Sequence, residues 1–318
     1  MGITNILLLV LGYVLLLFST KLVNGGGISI MRKGPTSDAQ ERIFSWFALS
    51  LMPFLSIAIS GGVLGLGNMV FTAALTAGVL QLLLIYGMLG ITGTYRLAGN
   101  ALRDLVLLLV CVVLLIVCTN YTWSKGHPAS TISRGMGLFL CVLAVAFTVW
   151  MLPYFMGKNR KLQRRPDTDF VPAIVFTLVG LALAGLGGVL LNNTAALTHA
   201  LNIEQGVLGV AVIGVGLVLP EYVRVARKYW MNTQKPVSMH LTLATGNLGL
   251  LLMIGLSAVI SPIIVTFAGA YLLLACVVAI IVFGILFYVG GEVGKIKAIL
   301  FLAGFALVFV LLMKFSLH

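Results

Sequence analysis

The chain alternates long apolar segments with short polar ones, and the apolar segments are too long to be strands. A helix that crosses the hydrocarbon core of a bilayer needs about 20 mostly apolar residues. Ten segments come close to or exceed that length and predict ten membrane-spanning helices: Ile3–Val23, Ile43–Ser60, Leu66–Ile91, Ala101–Cys118, Gly135–Met156, Phe170–Leu191, Gly206–Val223, Val237–Ile260, Pro262–Tyr288 and Ile296–Met313. No polar stretch between them is long enough for a soluble domain, so the pattern predicts an all-α integral membrane protein.

The composition excludes an ordinary soluble enzyme. Hydrophobic residues make up 60% of the 318 positions and charged residues only 9%, whereas a soluble domain carries about 25% charged residues. The four cysteines lie inside apolar segments, and their spacing is not that of a metal site or a disulfide framework. No phosphate-binding loop, nucleophile elbow or zinc pattern is present, so we expect neither an enzyme nor an organic cofactor.

The distribution of basic residues predicts the orientation in the membrane. The 20 Lys and Arg residues outnumber the 8 acidic ones, and basic loops face the cytoplasm in membrane proteins. With the basic loop 157–165 in the cytoplasm, only Lys125, Arg134 and Lys314 fall on the outer side. Both termini are then outside a plasma or inner cell membrane. The positive charge reflects topology and attraction to anionic lipid headgroups, and not binding to nucleic acid.

A weak internal repeat appears at an offset of 168 residues. Thr72–Met88 reads TAALTAGVLQLLLIYGM, and His240–Leu256 reads HLTLATGNLGLLLMIGL. Two pairs of glycines align across this offset, Gly78 with Gly246 and Gly87 with Gly255. The repeat divides the chain into a first half of five spans (1–156), a basic cytoplasmic linker (157–169) and a second half of five spans (170–318). Because each half has an odd number of spans, the halves must insert with opposite orientation, which is common in transporters.

Two prolines predict where the binding site lies. Pro53 aligns with Pro220 after a one-residue slip, and both fall in the second span of a half. A proline within a span interrupts the hydrogen-bond ladder and frees carbonyl groups to face a cavity. We therefore expect helix breaks at Pro53 and Pro220, and a site at the bilayer midplane between spans two, three, seven and eight.

The segment Gly206–Pro262 resembles the second alpha repeat of the sodium/calcium exchanger superfamily of cation antiporters. That family shows an apolar run ending in G-T-S-x-P-E, a short basic loop, and G-S-N-x-x-N/D leading into an apolar helix. Here Pro220 and Glu221 stand at the P-E position, and residues 244–246 stand at G-S-N. A degenerate first alpha repeat covers about 43–91 and the second about 206–262. The resemblance implies a ten-helix fold of two inverted repeats with both termini outside.

Several polar positions of the family motif carry apolar residues in this chain. In the first half Phe54 stands where the family has a glutamate, and in the second half Leu217 and Val218 replace the threonine and serine. Carried over position by position, the resemblance implies an ion- or substrate-binding set made of Glu221, Ser50, Thr76, Gln81, Thr245 and, after a local slip, Asn247.

A single carboxylate argues against calcium as the bound ion. Ca²⁺ takes about 6–8 oxygen ligands, usually with several carboxylates among them. Glu221 is the one acidic residue that we place clearly inside a span. Arg224 follows three residues later, so either it neutralises Glu221 in an ion pair or the carboxylate binds an ion. We expect a monovalent cation or a proton instead, with the identity of any metal left open.

Two further polar residues have more than one interpretation. Asp104 adjoins Arg103 at the cytoplasmic start of span four, where we expect it to be solvated. His240 lies at the start of span eight and is either an interfacial residue or a proton relay.

The sequence thus predicts a secondary active membrane transporter that resembles cation or cation/proton antiporters, with the bilayer and a small inorganic ion as partners. The alternative is a membrane scaffold of the same fold that does not transport and instead binds a protein partner or lipid. A third hypothesis is transport of an anionic or lipid-like substrate that Arg224, Arg227 and Lys228 would meet at the cytoplasmic mouth.

Overall fold

The computed structural model describes residues 3–34, 36–96, 101–123, 130–156, 162–163, 170–197, 204–231, 240–288 and 292–316. Within these ranges ten helices are long and apolar enough to cross a membrane, which confirms the predicted spans. They are α1 (Ile3–Met31), α2 (Asp38–Val63), α3 (Gly67–Thr92), α4 (Ala101–Trp123), α5 (Arg134–Met156), α6 (Phe170–Leu197), α7 (205–231), α8 (His240–Ile260), α9 (Phe267–Tyr288) and α10 (Lys295–Ser316). The predicted linker 157–169 lies outside the described residues except for Leu162–Gln163.

Helix α2 begins earlier than its apolar segment. Ser37 accepts a hydrogen bond from the backbone N–H of Gln40 at 3.3 Å, and the Gln40 side chain accepts one from the Ser37 N–H at 2.9 Å. This reciprocal pair is a capping box, which satisfies two backbone donors at a helix N-terminus. It starts the helix at Asp38, five residues before the predicted Ile43.

Among the described residues, three helices contain a segment of π-helix. These segments are Phe47–Leu51 in α2, Thr76–Leu80 in α3 and Gly209–Gly214 in α7. Single π turns inside α-helices are frequent at functional sites because they redirect backbone carbonyl groups. Each falls in one of the helices expected to form the site.

In the part of the chain that the structure describes, three short antiparallel strand pairs join loops to one another. The pairs are β1 (Thr36–Ser37) with β4 (Leu162–Gln163), β2 (Tyr95–Arg96) with β6 (Glu292–Val293), and β3 (Ser130–Ile132) with β5 (Ile263–Val265). Every pair links two loops that the count of spans places on the same side of the membrane. The geometry is therefore consistent with ten spans that cross in alternating directions.

Helices α3 and α8 form the centre of the molecule, and the others surround them. The apolar window of α3 is 100% buried and that of α8 is 78% buried, against 17% for α10. The outer helices expose large apolar side chains such as Leu138, Val171 and Ile299. Lipid can accept such a surface, whereas water cannot.

The contact between α1 and α6 shows that the two halves are related by an inverted pseudo-twofold axis. A Cβ added at Gly12 would lie 2.8 Å from Leu191 Cγ, and one added at Gly180 would lie 2.7 Å from Val23 Cγ2. Adding 168 to Gly12 gives Gly180, and subtracting 168 from Leu191 gives Val23. The two contacts are thus the same contact seen from each half, which the repeat offset predicts.

The axis itself passes between α3 and α8. A Cβ at Gly78 would lie 3.1 Å from the carbonyl oxygen of Gly246, and the reciprocal approach at Gly246 is to the carbonyl of Gly78. These two glycines are equivalent at the 168-residue offset, so they meet on the axis. Around them the halves interlock, because α3 packs against α7 and α10 of the second half while α8 packs against α2 and α5 of the first.

Candidate functional site

Glu221 lies buried where α7 meets the two central helices. Its side chain accepts a hydrogen bond from Thr242 Oγ1 of α8 at 2.9 Å, and it forms an ion pair with Arg224 one turn further along α7. Tyr86 of α3 lies close enough to interact electrostatically with Glu221. With 6% exposure, this carboxylate depends on these partners, because a buried charge without them is very costly.

The depth of Glu221 follows from its contact with Thr242. Thr242 precedes the axis glycine Gly246 by four residues, which corresponds to about 6 Å along a helix. Glu221 therefore lies about one turn away from the level of the pseudo-twofold axis. It is displaced toward the side of the loop between α7 and α8, so the site is slightly asymmetric about the midplane that the repeat suggested.

Gln81 reaches the same place from α3. Its buried Nε2 donates to the carbonyl oxygens of Gly78 and Thr242, each at 3.3 Å. Glu221 and Gln81 thus meet at Thr242, which contacts one through its hydroxyl and the other through its carbonyl. Thr242 was not among the residues that the sequence selected, because its position matches no letter of the family motif.

The two selected threonines hydrogen-bond within their own helices. Thr76 Oγ1 donates to the carbonyl of Thr72 at 2.9 Å, and Thr245 Oγ1 donates to that of Leu241 at 2.8 Å. Thr245 Oγ1 also accepts from Trp46 Nε1 of α2 at 3.0 Å. Thr76 is the first residue of the π segment of α3. The Thr245 hydroxyl joins α8 to α2 through its hydrogen bond with Trp46.

Asn247 is fully buried in α8, and among the described residues neither its Oδ1 nor its Nδ2 has a hydrogen-bond partner. Buried amides are normally bonded, so each such group in a folded protein calls for an explanation. Ser50 is half-buried in the π segment of α2. Ser50 is on α2, which packs on α8, whereas Glu221 is on α7, which packs on α3. The two residues therefore approach the centre from different sides.

The two prolines sit differently in their helices. Pro53 occupies the first turn of the α-helical part of α2, directly after the π segment. Pro220 lies inside the α-helical part of α7, and the π segment of that helix precedes it by several residues. In both helices the departure from α-helical hydrogen bonding is therefore on the N-terminal side of the proline.

Phe54 fills the position that corresponds to Glu221 in the other half. The side chain is buried, and a Cβ added at Gly249 of α8 would lie 2.7 Å from Phe54 Cε1. Gly249 is equivalent to Gln81 at the 168-residue offset. On this side of the axis an aromatic ring packed on a glycine thus stands where, on the other side, the Glu221 carboxylate and the Gln81 amide meet at Thr242.

Asp104 was expected to be solvated, and that expectation is wrong. It is only 3% exposed in α4, and its carboxylate pairs with Nδ1 of His240 at the start of α8. Arg103 Nη2 approaches the other carboxylate oxygen at 3.3 Å. Sequence position alone suggested a polar helix end, but α4 packs against α8 and covers the carboxylate. The described residues include no group of three or more His, Cys, Asp or Glu side chains that could hold a metal ion.

Comparison with known proteins identifies the fold. No family model and no curated protein matches this chain. Solved structures of the sodium-calcium exchanger NCX_Mj do match over almost the whole of both chains. A form soaked with 10 mM Na⁺ and zero Ca²⁺ has a TM-score of 0.57 at 16% identity, covering 98% of this chain and 99% of that one. A form soaked with zero Na⁺ and Ca²⁺ has a TM-score of 0.57 at 18% identity, with coverage of 98% and 100%.

This chain has the exchanger fold. A third exchanger structure, soaked with 2.5 mM Na⁺ and 1 mM Sr²⁺, agrees, with a TM-score of 0.58 at 16% identity. The prediction of ten transmembrane helices in two inverted repeats is confirmed, as is the resemblance to an exchanger-like membrane protein.

Proposed function

We propose that this protein is a secondary active transporter of a monovalent cation or of protons, with Glu221 as the carboxylate that binds the ion. The observation that carries the proposal is a buried carboxylate at the junction of α3, α7 and α8, next to the pseudo-twofold axis. Intramembrane ionisable residues are costly and are usually retained for function. We place the protein in the cell membrane, with both termini outside and the basic loops in the cytoplasm.

Arg224 gives the site an internal counter-ion. A buried carboxylate needs a positive charge in every state of a transport cycle, because an uncompensated one is strongly destabilising. In the structure Arg224 supplies that charge. We infer that the arriving cation or proton replaces Arg224 at Glu221 and that Arg224 returns when the ion leaves. Arg224 is partly exposed, with a side-chain exposure of 38%, and so has room to withdraw.

The ligands near Glu221 favour a small monovalent ion over calcium. Besides one carboxylate, the surroundings offer the Thr242 hydroxyl and the Gln81 carbonyl oxygen. Ca²⁺ usually requires more carboxylates than this. The exchanger structures named above were soaked with Na⁺, Ca²⁺ or Sr²⁺, and of these we extend only Na⁺ to this chain, alongside the proton.

Flux measurements in liposomes test the proposal. The purified full chain is reconstituted, and uptake of ²²Na⁺, of ⁴⁵Ca²⁺ and of protons (by an internal pH dye) is followed under imposed gradients. We expect Na⁺ or proton flux from the wild-type protein and a loss of at least about tenfold with Glu221→Gln, since the neutral amide cannot exchange Arg224 for a cation. The matched control is Glu41→Gln, because Glu41 also pairs with an arginine, Arg32, but at the start of α2. Undiminished flux with Glu221→Gln would contradict the role of this residue.

A specific observation also favours the alternative of a membrane module without transport. The contact of Phe54 with Gly249 makes one half of the site apolar, and the Glu221–Arg224 pair is already neutral. A module of this kind would bind a protein partner or lipid through its outer surface. The same liposomes decide between the two functions, because wild-type flux no greater than that of empty liposomes for all three ions would favour the module.

A further inference from the structure

A buried acid and histidine lie on a face of α8 that the Glu221 site does not use. Asp104 of α4 and His240 of α8 are 3% and 8% exposed, and the carboxylate contacts Nδ1 of the imidazole directly. His240 and Thr242 are two residues apart, so they point about 200° apart around the helix. Thr242 faces Glu221, and His240 therefore faces away from it, toward α4.

The charged and titratable groups around this end of α8 come from three neighbouring helices. Helix α4 contributes Asp104 and Arg103, and the Arg103 guanidinium also lies 4.8 Å from the ring of Trp150 on α5. The remaining groups, Glu221 and Arg224 of α7 and Tyr86 of α3, gather on the Thr242 face. Arg103 and Asp104 balance each other's charge, so the charge of the whole cluster depends on whether His240 carries a proton.

We propose that His240 and Asp104 form a second proton-binding site, separate from Glu221 and independent of whether the protein transports an ion. Imidazole is the side chain that ordinarily gains or loses a proton between about pH 5 and 8. A proton on His240 turns a hydrogen bond to Asp104 into an ion pair, which is the stronger contact in a buried place. Binding of the proton thus tightens the contact between the outer helix α4 and the central helix α8.

The position of the pair also sets the side from which the proton comes. His240 begins α8 after the loop that joins it to α7, and Asp104 is in the first turn of α4. Both ends belong to the side on which we place the cytoplasm. The site would therefore respond to the pH of that compartment and not to the pH outside.

Titration of the histidine by NMR tests the proposal directly. The full chain is labelled with ¹⁵N-histidine in detergent micelles, and the His240 signal is assigned by its loss in His240→Gln. The pH is varied from about 5 to 10, and we expect the pH dependence of the signal to differ between the wild-type protein and Asp104→Asn, because the negative charge beside the imidazole is then gone. The matched control is Arg134→Gln, since Arg134 Nη2 contacts the carbonyl of Ile260 at the opposite end of α8. It should leave the titration unchanged.

Two outcomes would overturn the proposal: a His240 signal that does not change with pH, or a pH dependence that is the same in the wild-type protein and in Asp104→Asn. The swapped variant Asp104→His with His240→Asp keeps the pair and covers the case in which a single variant does not fold. There we expect the histidine at position 104 to titrate as His240 does. Glu221→Gln should have a much smaller effect than Asp104→Asn, and a larger one would show that the two sites are one.

Discussion

The two halves of the molecule place different chemistry at equivalent positions. On one side of the pseudo-twofold axis, Glu221 of α7 meets Gln81 of α3 at Thr242. On the other side the equivalent residues are Phe54 of α2 and Gly249 of α8, which pack ring against backbone. The backbone arrangement is nevertheless shared, as the reciprocal approach of Gly78 and Gly246 shows. Inverted repeats thus fix where a site can be, while the side chains of each half decide whether it holds a charge.

The largest effect is expected from making the two halves alike with Phe54→Glu. The new carboxylate would be buried against Gly249 without a counter-ion, which costs about 3–5 kcal/mol of unfolding free energy. Thermal unfolding in detergent measures it, and Phe54→Leu, which keeps an apolar side chain, should cost less than about 1.5 kcal/mol. If Ca²⁺ restores the stability of Phe54→Glu, the second carboxylate is what separates this site from a divalent one. Equal losses for Glu and Leu would show that position 54 is not a dry contact.

Bulk on the pseudo-twofold axis should have the next largest effect. Gly246→Ala places a Cβ against the backbone carbonyl of Gly78, where neither central helix can move aside easily. Overpacking of this kind typically costs about 1–3 kcal/mol. Gly185→Ala in α6 is the control, because nothing lies within 4 Å of its added Cβ. The crossing of α3 and α8 is not tight in solution if the two variants unfold at the same temperature.

The Glu221–Arg224 pair is expected to have a smaller effect, because Arg224 is partly exposed and solvent screens the interaction. Arg224→Gln leaves Glu221 buried without its counter-ion, and we expect a loss of about 1–2 kcal/mol. Adding Glu221→Gln should recover most of that loss, because the double variant has no buried charge. A double-mutant cycle of unfolding free energies measures the coupling. Additive losses would mean that the two side chains do not interact.

The number of spans and their pairing into halves could be predicted from the sequence, because both follow from long apolar segments and from the glycines of the repeat. Gly78 and Gly246 align in sequence because they are equivalent positions of the repeat, and they meet in space because that position lies on the axis that relates the halves. The burial of Asp104 could not be predicted, since it depends on α4 packing over the first turn of α8. The early start of α2 had a sequence signal in Ser37 and Gln40, which the search for apolar segments does not detect.

The ligand set was harder to predict than the fold. Motif alignment selects positions, but a side chain at such a position can bond within its own helix, as Thr76 does with Thr72. Conversely, Thr242 lies outside every motif letter and still joins Glu221 to Gln81. Which hydroxyl faces the site depends on helix rotation, and a sequence pattern of mostly apolar residues leaves that rotation poorly determined.

The smallest expected effect concerns a polar contact between α2 and α8, the two helices that carry the apolar pair Phe54 and Gly249. Here the polar contact is on their side of the axis and the apolar equivalent is on the side of Glu221. Trp46 Nε1 donates to Thr245 Oγ1, whereas the equivalent residues in the other pair of helices, Ile213 and Ala77, are both apolar and buried. Thr245→Val removes the acceptor but keeps the shape, and the loss of one such hydrogen bond costs about 0.5–1.5 kcal/mol. Trp46→Phe should cost a similar amount in the Thr245 background and much less once Val is present. If the Trp46→Phe loss is the same in both backgrounds, packing and not this hydrogen bond holds α2 against α8.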